Sequence, residues 1–242
     1  MPRAEADRLV RQAVVLAGGR GTRLGALTDA TPKPLLPVGG RPFLDWVADN
    51  LLRQGIDDIV LTIGYRADAF EAWVARWAER LSIRSFVEEE PLGTGGALPL
   101  LRHDLHDSFV VLNGDTMFDA PIQELERRRV DARTPAALAL RSVPDVARYG
   151  EVVLDGSLVT AFREKGRTGP GLINGGVYAL TRDAVDRLGS PASIETDLLP
   201  TLVSERSLAG LPCDGFFIDI GIPSSFEEAQ RSVPEWWATT DG

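Results

Sequence analysis

Twenty-six side chains of the 242-residue chain are cationic, and only two of them are lysines: Lys33 in TPKPLLP and Lys165 in FREKG. Lysine is a compact point charge with rotatable donors, suited to following a phosphate whose charge moves during a reaction; arginine is a rigid planar fork. Both lysines stand beside glycine or proline loop signals. Ahead of Lys33 lies LAGGRGTRLG, where Gly18, Gly19 and Gly21 let the backbone bend and turn amide N–H groups onto an anion, with Arg23 adding charge. Two carboxylates stand out for their surroundings. Asp115 closes the apolar run SFVVLNGD, and Asp219 is flanked by Phe217, Ile218 and Ile220. A charge placed so is costly unless it is paired or binds a cation.

The glycine loop matches neither common nucleotide fingerprint. After Gly19 and Gly21 the third place of a G-x-G-x-x-G motif is Leu24, and no G-K-[ST] follows, so neither a dinucleotide site nor a P-loop is written here.

Those residues need elements to hold them. Residues 12–17, QAVVLA, read as a buried first strand that opens directly onto the glycine loop, where ligands of open α/β sheets bind. Leu44, Val47, Ala48 and Leu51 keep helical spacing up to Gly55, and IDDIVLTIG returns to strand. Phe70, Trp73, Val74, Trp77, Ala78 and Leu81 form a helical stripe for packing on a sheet. A strand at 82–88, a helix after Gly95 and the strand 108–115 continue the alternation. From about residue 135 strands are shorter, with a hairpin turning on Asp155-Gly156, and helices are expected at 193–203 and 223–232, the latter opening on Pro223. The PEWWATTDG tail is expected to pack its tryptophans and then fray. The alternation predicts an α/β fold, a mixed and mostly parallel sheet with helices on both faces, in one domain spanning 1–242 with parts at about 12–134 and 135–232.

Composition narrows the function classes. A net charge of −9 and a pI near 4.8 argue against a nucleic-acid surface. The run Arg127, Arg128, Arg129 reads as the solvated end of a helix. A single cysteine, Cys213, excludes an intrachain disulfide and reads as a small core or strand residue. No apolar h-region or membrane span is visible, so a cytoplasmic protein is expected, with no membrane partner. His103 and His106 in RHDLHD read as a polar helix end rather than a metal site.

LAGGRGTRL followed by PKPLLPVGGRP, and then EEEPLGTGGAL, FVVLNGDTMFD, RYGEV, FREKG, LINGGVY and FFIDIGIP in that order, resembles the sugar-1-phosphate nucleotidyltransferases over nearly the whole chain. The wording resembles most the D-glycero-D-manno-heptose 1-phosphate guanylyltransferase branch. The resemblance implies a Rossmann-like fold and transfer of a nucleotidyl group from a nucleoside triphosphate, GTP being expected, to a sugar 1-phosphate with release of pyrophosphate.

It also implies roles for particular residues. Arg23 and Lys33 would be catalytic, Arg23 cradling pyrophosphate and Lys33 lying near the α-phosphate. Leu16, Ala17, Gly18, Gly19, Gly21, Thr22, Glu88, Gly93 and Thr94 would bind the nucleotide, with Glu88 able to accept both N–H groups of a guanine edge. Tyr149, Gly150, Glu164, Lys165 and Asn174 would bind the sugar phosphate, a backbone amide and the Asn174 amide meeting hydroxyls while glycines leave room. Asp115 and Asp219 would hold Mg²⁺. EPLxTGG wording also occurs in uridylyl relatives, so ATP or UTP and a hexose 1-phosphate stay open, as does a catalytically silent nucleotide-sugar sensor. The resemblance leaves a homo-oligomer open, with no exposed apolar helix to identify a contact face.

Overall fold

The computed structural model describes residues 9–240. In chain order its main strands are β1 (Gln12–Leu16), β2 (Asp58–Ile63), β3 (Ser82–Val87), β4 (Ser108–Asn113), β5 (Thr116–Phe118), β6 (Ala136–Val143), β7 (Glu151–Asp155), β8 (Leu158–Arg163), β9 (Gly171–Thr181), β10 (Leu208–Cys213) and β11 (Phe217–Asp219). Nine of these form one sheet in the order β3-β2-β1-β4-β9-β6-β10-β8-β7, and β5 pairs with β11 in a small separate ladder. The pairs β1/β2, β1/β4, β2/β3 and β6/β10 are parallel, whereas β9 runs against β4 and β6, and β8 runs against β10 and β7. Reversing only β8 and β9 leaves the other strands pointing one way, the mostly parallel sheet that the alternation predicts.

Side chains along β1 show why both faces must be covered. Ala13 and Val15 enter one core and Val14 the other, the two-residue period of a strand buried on both sides. On the first face lie α1 (Phe43–Arg53), α2 (Glu71–Trp77), α3 (Ile122–Ala132) and, at the chain's end, α5 (Pro223–Thr240); on the second lies α4 (Leu199–Ser204) with the segment before it. The helical stripe of α2 is narrower than its sequence suggests: Phe70, Trp73, Trp77 and Leu81 are buried, but Ala78, just past the end of the α-helix, is exposed. Trp73 and Trp77 carry polar handles, and both indole N–H groups donate to Asp45 Oδ1 of α1, at 2.8 and 2.9 Å. Arg76 adds a third donor at 2.6 Å, so a buried carboxylate fixes α2 on α1.

Four local expectations change. The hairpin pairs Leu158 with Asp155, so its two-residue turn is Gly156-Ser157, one place later than Asp155-Gly156, with Gly156 supplying φ +61°. The segment after Gly95 yields only one helical turn, Ala97–Leu100. Arg129 is not solvated: it folds back on Glu126 at 2.6 Å and donates to the Thr134 carbonyl. Finally, α5 does not stop at 232 but continues through Pro234 to Thr240. Trp236 stacks on Phe216 with centroids 4.8 Å apart, and Trp237 meets Trp46 edge-on at 6.1 Å, so tertiary packing holds the added turns. Cys213 closes β10 inside the core, where burial pushes its thiol up to about 11.

Candidate active site

β1 and β4 end side by side, and their last residues, Leu16 and Asn113, are paired in register. The chain leaves β1 through Ala17, Gly18 and Gly19 and leaves β4 through Gly114 and Asp115, with Gly114 N–H donating to the Leu16 carbonyl at 2.8 Å. A cavity of about 340 Å³ opens at this edge, lined by Leu16, Ala17, Gly18, Gly19, Lys33, Thr94, Glu88 and Asp115 among others. This is where the carboxyl ends of parallel strands leave a crevice.

Lys33 is 8% exposed, and its Nζ lies 2.5 Å from Asp115 Oδ2. Its stem runs under Gly21. A Cβ on Gly21 would sit 3.1 Å from Lys33 Cε and 3.0 Å from Thr28 Cγ2, and the residue's φ of +66° favours glycine independently. Gly21 therefore gives passage to the lysine as much as to any ligand. Asp219 belongs to the same corner: the Ile220 N–H donates to the Asp115 carbonyl at 3.0 Å, and β11 pairs Asp219 with Thr116, the residue after Asp115. Asp219 Oδ1 accepts the Gly221 N–H at 2.6 Å, and Oδ2 lies 3.6 Å from the Arg148 guanidinium. A Cβ on Gly221 would stand 2.7 Å from Asp219 Oδ1 and 3.2 Å from Arg23 Nη2, which puts the exposed Arg23 beside Asp219. Lys33 and Asp115 thus line the cavity, and the backbone of β11 brings Asp219, with Arg23 beside it, next to Asp115.

The opposite wall is built from Glu88 and the turn 91–96. Glu88 Oε2 accepts the Leu92 N–H at 3.2 Å, and a Cβ on Gly18 would come within 3.1 Å of Glu88 Oε1. Burial raises the Glu88 carboxyl above its ordinary 4.5, and the Leu92 N–H only partly offsets that. Gly93 and Thr94 line the cavity, but the glycines of this turn have a second cause. The Ala192 carbonyl accepts the N–H groups of Gly95 and Gly96 at 2.9 and 3.1 Å, and side chains at Gly93 or Gly96 would collide with the 191–192 backbone or with the Leu92 carbonyl. The PLGTGG turn is a docking surface for the segment before α4.

The residues expected on the sugar side lie outside the 340 Å³ cavity. Tyr149 meets Phe217 of β11 edge-on at 6.3 Å, with Arg148 over its own ring at 5.1 Å, so both adjoin Asp219. The Gly166 N–H donates to the Ala147 carbonyl, bringing the exposed Glu164 and Lys165 alongside Arg148 and Tyr149. Two details correct the sequence reading. The Gly150 N–H already donates to the Val146 carbonyl at 3.0 Å, so no free amide waits there for a hydroxyl. The space beside Gly150 is filled by the Arg163 carbonyl, and that beside Gly175 by the Phe118 ring, so these glycines make room for the protein's own atoms. Asn174 sits on β9 just before a register shift and Gly176, with φ +72°. That bulge re-aims Asn174, whose Nδ2 donates to the Tyr178 hydroxyl at 3.0 Å.

Sequence reading did not single out Thr62, Asn113 or Arg148. Thr62 and Asn113 line the cavity from the ends of β2 and β4, and their position at strand termini was the available signal. Arg148 was hidden in RYGEV among twenty-four arginines. Among the described residues no three His, Cys, Asp or Glu side chains are grouped to hold a metal; His106 instead faces Asp58 at 3.3 Å, away from the cleft. Nor is any described helix long and apolar enough to cross a membrane.

Comparison with known proteins yields consistent matches. The Nucleotidyl transferase family profile matches residues 12–235. A D-glycero-alpha-D-manno-heptose 1-phosphate guanylyltransferase of Aneurinibacillus thermoaerophilus is 35% identical over 228 residues, 93% of this chain and 99% of that protein. One of the same description from Campylobacter jejuni is 35% identical, covering 89% of this chain and 96% of its own. The crystal structure of HddC from Yersinia pseudotuberculosis complexed with GMP-PN superposes with a TM-score of 0.80 at 32% identity, covering 92% and 99% of the two chains.

Proposed function

Since the chain belongs to the nucleotidyl transferase family and is a sugar-1-phosphate nucleotidyltransferase, we propose that it transfers a guanylyl group from GTP to a D-glycero-D-manno-heptose 1-phosphate. The observation that carries the chemistry is the buried Lys33 ammonium, 2.5 Å from Asp115 at the mouth of β1, with Asp219 at the same corner. Two anions must meet there. A sugar-phosphate oxygen attacks the α-phosphorus of the nucleotide in line; the new O–Pα bond forms as the bond from Pα to the bridging oxygen breaks, and pyrophosphate departs with the electron pair. The chain's part is positioning and charge. Gly18, Gly19, Gly21 and Thr22 present backbone amides, Lys33 meets the α-phosphate, and Arg23 receives the leaving pyrophosphate.

Asp115 and Asp219 would hold Mg²⁺. Two carboxylates at one corner form a hard oxygen donor set, one that fits a cation which keeps several waters and completes its shell with substrate phosphates. Bound there, the cation supplies cancellation of repulsion between the two anions and of charge developing on phosphoryl oxygens.

Selection of guanine falls to Glu88. A carboxylate can accept from two adjacent N–H groups, as a guanine edge offers and uracil or adenine does not in that pairing. The names of the relatives, heptose 1-phosphate guanylyltransferases, support both the base and the sugar. Initial rates with GTP, ATP and UTP against one heptose 1-phosphate test the base: GTP should be preferred, and Glu88→Gln should lose about tenfold or more of that preference, the scale of one charge-assisted hydrogen bond. The pH dependence has a definite sign. Burial raises the Glu88 pKa, so the acceptor form is lost as pH falls at a point above the ordinary 4.5. KM for GTP should climb through that window in the wild type and stay flat in Glu88→Gln; preference for another base ends the Glu88 argument.

On the sugar side, Tyr149, Glu164, Lys165 and Asn174 face the second substrate, with Lys165 on its phosphate. Lys165→Ala should raise KM for the sugar phosphate by about tenfold and KM for GTP far less. The reverse order in steady-state kinetics would exchange the roles of the two lysines.

A further inference from the structure

We propose that Glu195 is a positioning residue whose single carboxylate orients Thr94 on the nucleotide side and, through Tyr178, Asn174 on the sugar side. Glu195 lies in the short helical segment Ile194–Leu198 that docks on the PLGTGG turn. Three hydroxyls converge on it. Thr94 Oγ1 and Ser193 Oγ lie 2.5 and 3.0 Å from Oε2, and the Tyr178 hydroxyl lies 3.0 Å from Oε1. An ionised carboxylate only accepts, so all three hydroxyls must donate to it, and the direction of every bond beyond them follows.

On the sugar side, the Tyr178 oxygen is turned to accept from Asn174 Nδ2 at 3.0 Å, while Asn174 Oδ1 accepts the Gly176 N–H at 2.8 Å. Asn174 is left with one uncommitted amide hydrogen, a donor for a substrate oxygen. Tyr178 is fully buried, and burial together with the Glu195 charge holds its phenol well above the usual range, so it stays a neutral relay. On the nucleotide side, Thr94 Oγ1 accepts the Ile194 N–H at 3.0 Å and spends its own proton on Glu195, which locks the side chain that lines the cavity. One acid therefore connects the loop at the nucleotide with the bulge of β9.

The inference rests on the reading of Thr94 as facing nucleotide and Asn174 as facing sugar, and the test separates the two. Steady-state kinetics with GTP and the sugar 1-phosphate are compared for wild type, Glu195→Gln, Tyr178→Phe, their double variant and Asn174→Ala, with Tm for each. An amide offers one acceptor oxygen where three donors converge, so Glu195→Gln serves each arm only part of the time. KM should rise for both substrates by about three- to tenfold, the scale of one misdirected hydrogen bond, with kcat and Tm near wild type. Tyr178→Phe should raise only the sugar-phosphate KM, and the double variant should be no worse on that KM than the worse single one. Wild-type KM values in Glu195→Gln, or effects that multiply in the double variant, overturn the relay. A wild-type sugar KM in Asn174→Ala instead overturns the sugar-side reading of Asn174. Should Glu195→Gln not fold, Tyr178→Phe decides alone: a rise confined to the sugar KM supports the relay and no change overturns it.

Discussion

Lys33→Arg is expected to lower kcat by about 10²- to 10³-fold, the scale for removing one preorganised donor from developing transition-state charge, although it conserves the positive charge. The reason is steric as well as electronic. The ammonium sits in a nearly closed site, 2.5 Å from Asp115 Oδ2, with its stem beside Gly21. A guanidinium is broader and cannot rotate its donors about one point as the phosphate geometry changes. KM for GTP should move much less than kcat, because the interaction proposed for Lys33 would strengthen as charge builds on the α-phosphate. The measurement is pyrophosphate release at saturating substrates, with Tm as a check on folding; wild-type kcat would show that the lysine is incidental.

A second large effect is expected at Asp219. In Asp219→Asn the amide oxygen can still accept the Gly221 N–H that Oδ1 now accepts at 2.6 Å, so β11 should keep its place, but one of the two proposed anionic ligands is gone. Turnover should fall by about 10³-fold or more, in line with the several kcal/mol attributed to metal stabilisation of transferring phosphoryl groups. A binding readout accompanies the rate: isothermal titration of the folded protein with Mg²⁺ and a non-hydrolysable GTP analogue should show weakened, metal-dependent uptake. Chelation of divalent cations should abolish pyrophosphate release by the wild type. Unchanged metal-dependent binding in Asp219→Asn would move the metal to other ligands.

Much of this site was legible because its signals are local. β1 followed by glycines, a lysine in a chain of arginines, and aspartates beside apolar residues can each be noticed from a few neighbouring residues. The sequence pattern predicted both faces of the sheet, since Ala13, Val14 and Val15 could not all be buried otherwise. What stayed hidden depends on partners far along the chain. Glu195 is one of many exposed-looking acids until Thr94 and Tyr178 are brought to it. The Gly93, Gly95 and Gly96 turn reads as a ligand loop, yet its close neighbour is the backbone at Ala192. Gly150 reads as a donor until the Val146 carbonyl claims its N–H. The helix expected over 223–232 runs on through Pro234, which packs against Gly39, where a Cβ would lie 2.3 Å from the Pro234 Cγ, while Trp236 and Trp237 anchor the turn beyond it. In each case tertiary packing overrides a local preference that the residue type states correctly.

The most direct test of the proposed reaction is a pyrophosphate-release assay with GTP, Mg²⁺ and a panel of sugar 1-phosphates comprising D-glycero-D-manno-heptose, mannose, glucose and N-acetylglucosamine derivatives, each supplied as both anomers. The proposal expects the highest kcat/KM with a D-glycero-D-manno-heptose 1-phosphate. A higher kcat/KM with any of the hexose phosphates, or no release with either heptose anomer, would contradict it.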